Sequence, residues 1–75
     1  MKLKRLKELR ERKDKSQIQI ADYLGISQQH YSLYELNKRL IPIDLLVKLA
    51  YLYDTSTDYI IGLTNIKDPY PKNKE

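Results

Sequence analysis

The chain has 75 residues, a formal net charge of +4 at pH 7 and no cysteine. This length allows one small domain whose apolar core must outweigh chain entropy by packing alone, because neither a disulfide framework nor a thiolate metal site is possible. The charged amino terminus lacks the apolar region of a signal peptide, and no stretch approaches about 18 consecutive apolar residues, so we expect neither secretion nor a membrane span.

The first helix is predicted to be basic and amphipathic. Residues 1–15 hold eight basic and three acidic side chains. Leu3, Leu6 and Leu9 recur at helical spacing, which predicts a helix from Lys2 to about Lys13. The basic excess favours a polyanionic partner, although a solvated face with salt bridges explains the same charges equally well.

Arg10 interrupts the leucine face of this helix. On a helical wheel it projects between Leu3 and Leu6, where a buried guanidinium requires a carboxylate partner. We expect that partner to be Glu35. The pair is interpreted first as structural, because the loss of either side chain would leave the other without compensation.

A second helix is predicted from Gln17 to Leu24. Ser16, followed three residues later by Gln19, forms a capping box that begins it. Gly25 supplies the left-handed residue that ends it. A turn of this kind joins two helices at a steep angle.

Ser27 can cap a third helix, predicted from Gln28 to Leu36. Asn37 tolerates the left-handed conformation and is expected to stop it. Tyr31 and Tyr34 lie together on the inner side of the wheel. A base-stacking platform is an alternative role for them, but their inward positions favour core packing.

The outer side of the third helix has an unusual composition. It presents two glutamines, a serine and an exposed leucine instead of the usual lysines and glutamates, which is typical of a reading surface. Gln28 and Gln29 can each match the N6 donor and N7 acceptor of adenine, and Ser32 and Leu33 can meet a base or phosphate and a thymine methyl. The competing interpretation is ordinary surface exposure, or for Leu33 a protein interface.

Phosphate contacts are predicted beside this surface. Gln17 opens a helix whose unpaired N–H groups and dipole attract anions, although its side chain could instead only hydrogen-bond Gln28. A basic loop follows the third helix, where DNA backbone would run. The predicted phosphate contacts are Gln17, Ser27, Asn37, Lys38 and Arg39.

The rest of the chain predicts two more helices. Pro42 suits the first turn of a fourth helix from Ile43 to Tyr53, whose wide apolar face indicates two neighbours. Ser56 caps a short fifth helix from Thr57 to about Ile61, which ends at Gly62. We expect residues 1–66 to form the domain and residues 67–75 to be an extended or disordered tail.

A dimer seam is one role for the remaining apolar residues. The alternative is that they simply close a small core. These residues are Ile41, Ile43, the outer leucines of the fourth helix, Ile60, Ile61 and Leu63.

Several fragments in this order resemble the phage-repressor and Cro-type (xenobiotic-response-element-like) helix-turn-helix family of small bacterial and phage transcriptional regulators. The resemblance spans about residues 4–64. It is carried by Arg5-Leu6-Lys7-Glu8-Leu9-Arg10, Ser16-Gln17, Ile20-Ala21, Leu24-Gly25-Ile26-Ser27, Tyr34-Glu35, Lys38-Arg39, Leu49-Ala50 and Ser56-Thr57-Asp58-Tyr59-Ile60-Ile61-Gly62.

The resemblance implies a compact five-helix bundle whose third helix enters the major groove, with dimers placing two such helices about 34 Å apart. It implies a phosphate contact for Gln17, a base contact for Gln28 and an ion pair between Arg10 and Glu35. Departures from the family pattern occur at Tyr31, Leu33 and Asn37, where a small aliphatic, a polar or basic residue and a glycine are more usual.

We therefore predict an all-α, lambda-repressor-like domain that acts as a sequence-specific, double-stranded DNA-binding transcriptional regulator and represses by occupying a promoter as a dimer. No enzymatic activity is expected, because the sequence shows neither a set of nucleophile, base and orienting residue nor a phosphate-binding glycine loop. It is expected to be cytoplasmic and nucleoid-associated. The single histidine, His30, lacks partners for a metal site, so neither a metal nor another cofactor is expected. An antitoxin or adaptor that binds another protein, with DNA secondary, is the alternative.

Overall fold

A computed structural model describes residues 3–69 of the chain. Five α-helices follow one another in this range, and no strand occurs in it. The helices are α1 (Arg5–Arg12), α2 (Gln17–Leu24), α3 (Gln28–Glu35), α4 (Ile43–Leu52) and α5 (Thr57–Ile61). The predicted all-α fold with five helices is confirmed.

The first helix begins later than the leucine spacing predicts. Lys2 lies outside the described residues, and Leu3 precedes the helix although its side chain is buried. The backbone N–H of Leu3 donates to the side-chain Oδ1 of Asn37 across 2.6 Å. This bond attaches the start of the chain to the end of α3.

Three other predicted positions differ by one residue. Leu36 and Tyr53 are the C-cap residues of α3 and α4, and lie just outside those helices. Pro42 is the N-cap of α4 and has extended backbone angles, so it precedes the first turn that it was expected to occupy.

Serine side chains begin three of the helices as predicted. The hydroxyls of Ser16, Ser27 and Ser56 accept hydrogen bonds from backbone N–H groups three residues later. At α2 the bond is reciprocated, because the Gln19 side chain accepts from the Ser16 N–H at 2.9 Å. Each cap satisfies a donor that the helix itself cannot.

All five helices end with a residue in the left-handed region. The N–H of the following residue returns to a carbonyl five positions earlier, the pattern of a Schellman motif. The φ angles are 55° at Asp14, 74° at Gly25, 58° at Asn37, 51° at Asp54 and 88° at Gly62. The ends at Gly25, Asn37 and Gly62 were expected from the sequence, whereas Asp14 and Asp54 were not singled out.

The core lies between all five helices. Its fully buried large side chains are Leu6, Ile20, Tyr31, Tyr34, Leu49 and Ile60. The two tyrosine rings of α3 meet edge to face, with centroids 6.4 Å apart, so these rings pack inside the domain and offer no stacking platform.

The apolar residues proposed for a dimer seam divide between core and surface. Leu45, Leu46 and Leu49 are all buried, so α4 has no outer leucine among them, and Ile60 is only 1% exposed. The wide apolar face of α4 is therefore mostly core. The exposed apolar side chains of this helix are instead Ile43, Val47 and Tyr51, spaced four residues apart on one side.

The segment after α5 is attached to the rest of the domain. Arg5 donates to the carbonyl oxygens of Tyr59 and Thr64 and to the side chain of Asn65, at 2.5–2.6 Å. Its guanidinium also lies 3.9 Å from the centroid of the Tyr59 ring. These contacts hold the chain beyond α5 against the start of α1.

The boundary between domain and tail stays a prediction. Thr55 donates its hydroxyl to the carbonyl of Lys67 at 2.5 Å, while residues 70–75 of the expected tail lie outside the described part of the chain. Within residues 3–69, no helix combines the length and the apolar character needed to cross a bilayer.

Candidate nucleic-acid interface

The turn between α2 and α3 sets where the reading residues lie. Gly25 adopts the left-handed conformation, and the Ile26 N–H returns to the carbonyl of Ala21 at 3.0 Å. Ile26 packs against the core, and Ser27 then begins α3 with extended backbone angles. The first turn of α3 therefore starts close to the end of α2, and the two helices pack against each other.

Gln28 and Gln29 are both exposed on that first turn. Their amides are accessible to a partner, as a base-reading role requires. Ser32 and Leu33, one turn later, are only half-buried, so the description of Leu33 as an exposed leucine was wrong. The chain folds back beside the last turn of α3, where the Lys38 N–H donates to the Leu33 carbonyl at 2.9 Å.

A line of polar side chains connects Gln28 to the interior. Gln28 Nε2 donates to Gln17 Oε1, and Gln17 Nε2 donates to Glu35 Oε1, each at 3.1 Å. Glu35 in turn receives Arg10 Nε at 2.7 Å and Arg10 Nη2 at 3.1 Å. The third guanidinium nitrogen of Arg10 donates to the carbonyl of Lys15 at 2.9 Å. One network therefore joins α1, α2 and α3.

The ion pair in this network is largely removed from water. The side chains of Arg10 and Glu35 are 12% and 4% exposed. Burial opposes ionisation of Glu35, but hydrogen bonds from Arg10 and Gln17 and the nearby Tyr31 hydroxyl outweigh it, and the pKa of Glu35 lies below its ordinary value. Glu35 is therefore a carboxylate at neutral pH.

Two tyrosines add buried hydroxyls beside this pair. Neither the Tyr31 nor the Tyr53 hydroxyl makes a hydrogen bond of good geometry. Burial, followed by the charge of Glu35, raises the pKa of Tyr53 to about 12, and the pKa of Tyr31 is raised for the same reasons. Both remain neutral, so Glu35 is the one anion of this cluster.

Gln17, one of the predicted phosphate contacts, begins α2, and the other four lie at or just beyond the two ends of α3. Ser27 is exposed, and its oxygen already accepts from the His30 N–H. Asn37 has its Oδ1 bound to Leu3. Lys38 and Arg39 are exposed and, with Leu3, Asn37 and Leu40, line a shallow depression of about 160 Å³.

His30 is held within α3. Its Nε2 lies 2.8 Å from the Tyr34 hydroxyl, and the two rings are tilted with centroids 5.3 Å apart. Residues 3–69 contain no group of three or more histidine, cysteine, aspartate or glutamate side chains that could hold a metal ion.

The polar network of this site includes a contact that was not expected from the sequence. The possible bond between Gln17 and Gln28 was considered, but the bond from Gln17 to Glu35 was not. The wheel positions of α2 alone give no signal for it, because it depends on the crossing of α2 over α3. A glutamine at the start of one helix and a glutamate at the end of the next are a signal only once that crossing is known.

Comparison with known proteins agrees with this geometry. A helix-turn-helix family model matches residues 6–60. The uncharacterized HTH-type transcriptional regulator YobD of Bacillus subtilis (strain 168) is 42% identical over 74 residues, covering 99% of this chain and 66% of that protein. The HTH-type transcriptional regulators ImmR and AnsR of the same organism are 40% and 39% identical, covering 96% of this chain and 54% and 62% of their own lengths.

No solved structure matches. The chain spans between about half and two thirds of the length of these curated relatives. Their descriptions are of transcriptional regulators and not of enzymes, in agreement with the prediction that this chain is not an enzyme. The chain belongs to the Cro/C1-type helix-turn-helix family.

Proposed function

We propose that this chain is a sequence-specific regulator of transcription that reads the major groove of double-stranded DNA with α3. The observation that carries the proposal is the pair of exposed amides, Gln28 and Gln29, on the first turn of a helix fixed by a buried ion pair. Glutamine matches adenine with two hydrogen bonds and contributes about 1–3 kcal/mol of discrimination per pair. Ser32 and Leu33, one turn later on α3, are assigned contacts with a base or phosphate and with a thymine methyl, respectively.

Affinity would come mainly from the DNA backbone. The chain carries a net charge of +4, and the exposed Lys38 and Arg39 follow directly after the reading helix, where they can neutralise phosphates. Gln17 offers its helix N-terminus to a second phosphate, with Ser27 and Asn37 as further contacts. A chain with this function would be located in the cytoplasm, in association with the nucleoid.

The test separates base contacts from phosphate contacts. Sequences bound by the chain are first selected from random duplex DNA, and affinities are then measured on every single base-pair substitution of the selected site. Gln28→Ala should flatten discrimination at one base pair. Lys38→Ala should weaken all duplexes about equally and lower the slope of log affinity against log salt by about one.

These roles would be contradicted if Gln28→Ala weakened all duplexes about equally and Lys38→Ala changed discrimination at one base pair. The absence of any preferred duplex at low salt would contradict the function itself. Lys48→Ala is a matched control for Lys38→Ala, because Lys48 is also exposed but lies on α4.

We also propose that the chain binds as a homodimer and represses by occupying a promoter. Two copies would present α3 to successive major grooves about 34 Å apart. The exposed side chains of Ile43, Val47 and Tyr51 form an apolar strip on α4 that a second copy can cover. Sedimentation of the chain with and without DNA tests this, and Val47→Asp should leave a monomer.

The same strip favours one alternative, an antitoxin or adaptor that binds a different protein. Co-purification from the native host, in the absence of DNA, separates the two functions. A stoichiometric protein partner that is lost with Val47→Asp, together with no selected DNA sequence, would support the alternative.

A further inference from the structure

The side-chain amides of Gln17 and Gln28 each have a defined orientation, or polarity, meaning that the positions of the NH₂ donor and the carbonyl acceptor are fixed. An ionised carboxylate can only accept hydrogen bonds, and Glu35 is held as a carboxylate by Arg10 at 2.7 Å. The atom that Gln17 turns toward Glu35, at 3.1 Å, must therefore be its NH₂ group. With Glu35 only 4% exposed, little water can replace this donor.

The polarity is passed on to the surface. Because the NH₂ group of Gln17 faces Glu35, its carbonyl oxygen faces Gln28. The atom of Gln28 that lies 3.1 Å from that oxygen must in turn be its NH₂ group. If the Gln17 amide rotated by half a turn, its carbonyl oxygen would face the Glu35 carboxylate, which is also an acceptor. If the Gln28 amide rotated alone, its carbonyl oxygen would face the carbonyl oxygen of Gln17.

Gln28 is thereby left with a definite set of free groups. One N–H of its NH₂ group is used by Gln17, and one N–H and the carbonyl oxygen remain. This set matches adenine, which offers an N6 donor and an N7 acceptor in the major groove. Guanine offers two acceptors, O6 and N7, so one of them would face the carbonyl oxygen of Gln28. A glutamine free to rotate could turn its NH₂ group toward guanine and avoid that repulsion.

We propose that Glu35 is a positioning residue that fixes the amide of Gln28 through Gln17, and that this orientation makes the site reject guanine where it accepts adenine. The proposal rests on the base contact assigned to Gln28 under the proposed function. It gives the Arg10–Glu35 pair a role in selectivity besides its role in stability.

Gln17→Met tests the connection without disturbing the ion pair. Methionine has a similar length and cannot donate to Glu35 or accept from Gln28. The affinities for duplexes with A·T or G·C at the pair read by Gln28 should become closer, by part of the roughly 5- to 150-fold that one bidentate contact supplies. A lost phosphate contact would instead lower both affinities by the same factor and leave their ratio unchanged.

Gln17→Glu is the matched rescue variant. A glutamate at this position that is protonated toward Glu35 donates its O–H to that carboxylate and still presents its other oxygen as an acceptor to Gln28. The preference for A·T over G·C should therefore be retained in Gln17→Glu. An unchanged preference in Gln17→Met, or a lost preference in Gln17→Glu, would overturn the proposal.

Glu35→Gln tests the source of the polarity. A neutral amide can face Gln17 with either its donor or its acceptor, so the preference for adenine should shrink as in Gln17→Met. Any partial unfolding of this variant lowers the affinity for both duplexes equally, and the ratio still reports the role of Glu35. An unchanged ratio in Glu35→Gln would remove Glu35 from the proposal.

A measurement without DNA separates this proposal from the proposed function. In the free protein, NMR should show the two side-chain N–H protons of Gln28 with one protected from solvent exchange, and Gln17→Met should abolish that protection. Protection in a protein that selects no DNA sequence would contradict the proposed function alone. Equal exchange of both protons in the unchanged chain would contradict the fixed amide.

Discussion

The two ends of α1 are attached to the domain by the same kind of side chain in different ways. Arg10, near the end of the helix, binds the Glu35 carboxylate through two nitrogens. Arg5, at its beginning, binds two backbone carbonyls and an amide oxygen, and stacks on Tyr59. One arginine depends on a buried charge, and the other on neutral acceptors.

The difference teaches where stability and selectivity are linked. The Arg10 end joins α1 to the helices that hold Gln17 and Gln28, whereas the Arg5 end joins α1 to the segment after α5. A substitution that breaks the contacts of Arg10 should therefore alter the candidate DNA contact at Gln28 as well as the stability. A substitution that breaks the contacts of Arg5 should lower the stability alone.

The largest expected effect comes from breaking the charged end. Arg10→Met leaves the Glu35 carboxylate buried without its partner, which should cost about 3–5 kcal/mol of unfolding free energy. Denaturant unfolding followed by circular dichroism measures it. Arg12→Met is the control, because Arg12 forms an exposed pair with Glu8 on the same helix, and such pairs contribute about 0–1 kcal/mol. Equal losses in the two variants would contradict the distinction.

Acid should sharpen the contrast between the two ends. The pKa of Glu35 is lowered in the folded chain, so its contribution to stability is fully present above its ordinary value of 4.5 and is lost as the pH falls through the lower, folded value. The neutral acceptors of Arg5 do not titrate in this range. Thermal unfolding from pH 7 to pH 3 should therefore show a weaker pH dependence in Glu35→Gln and an unaltered one in Arg5→Lys.

Breaking the neutral end should have a smaller effect than breaking the charged end. Arg5→Ala removes hydrogen bonds to Tyr59, Thr64 and Asn65 but leaves no buried ion behind, so we expect a loss of about 1–3 kcal/mol. Denaturant unfolding gives the total, and amide exchange should accelerate chiefly after α5. An altered base preference in this variant would contradict the separation of the two ends.

The smallest expected effect concerns the second attachment of the segment after α5. Thr55→Val keeps the shape of the side chain and removes the hydroxyl that donates to Lys67. The loss should be about 0.5–1.5 kcal/mol, that of one neutral hydrogen bond. Combined with Arg5→Ala, it should cost less than the sum of the two single losses if both bonds hold one segment.

The sequence was most informative where a local rule applied. The capping box at Ser16, the hydroxyl caps and Gly25 each depend on residues a few positions apart, so the helices of the candidate site could be placed to within a residue or two. The pairing of Arg10 with Glu35 could also be predicted, because a charge on an apolar helix face requires an opposite charge and the family resemblance implies the same pair.

The sequence was least informative about side-chain contacts with backbone carbonyls, which every residue carries. Arg5 binds carbonyls of Tyr59 and Thr64, and no side-chain pattern marks a carbonyl as an acceptor. The bond from Gln17 to Glu35 depends on how two helices cross. These contacts follow from tertiary geometry, which the helical wheel omits.

The residues with left-handed backbone angles that follow each helix also affect the unfolded chain. The sequence has only two glycines, and both occupy such ends, while Asp14, Asn37 and Asp54 occupy the other three. A non-glycine residue pays backbone strain there in the native state, yet it also has fewer conformations to lose when the chain folds. The domain thus turns its chain sharply five times while keeping its denatured ensemble comparatively narrow.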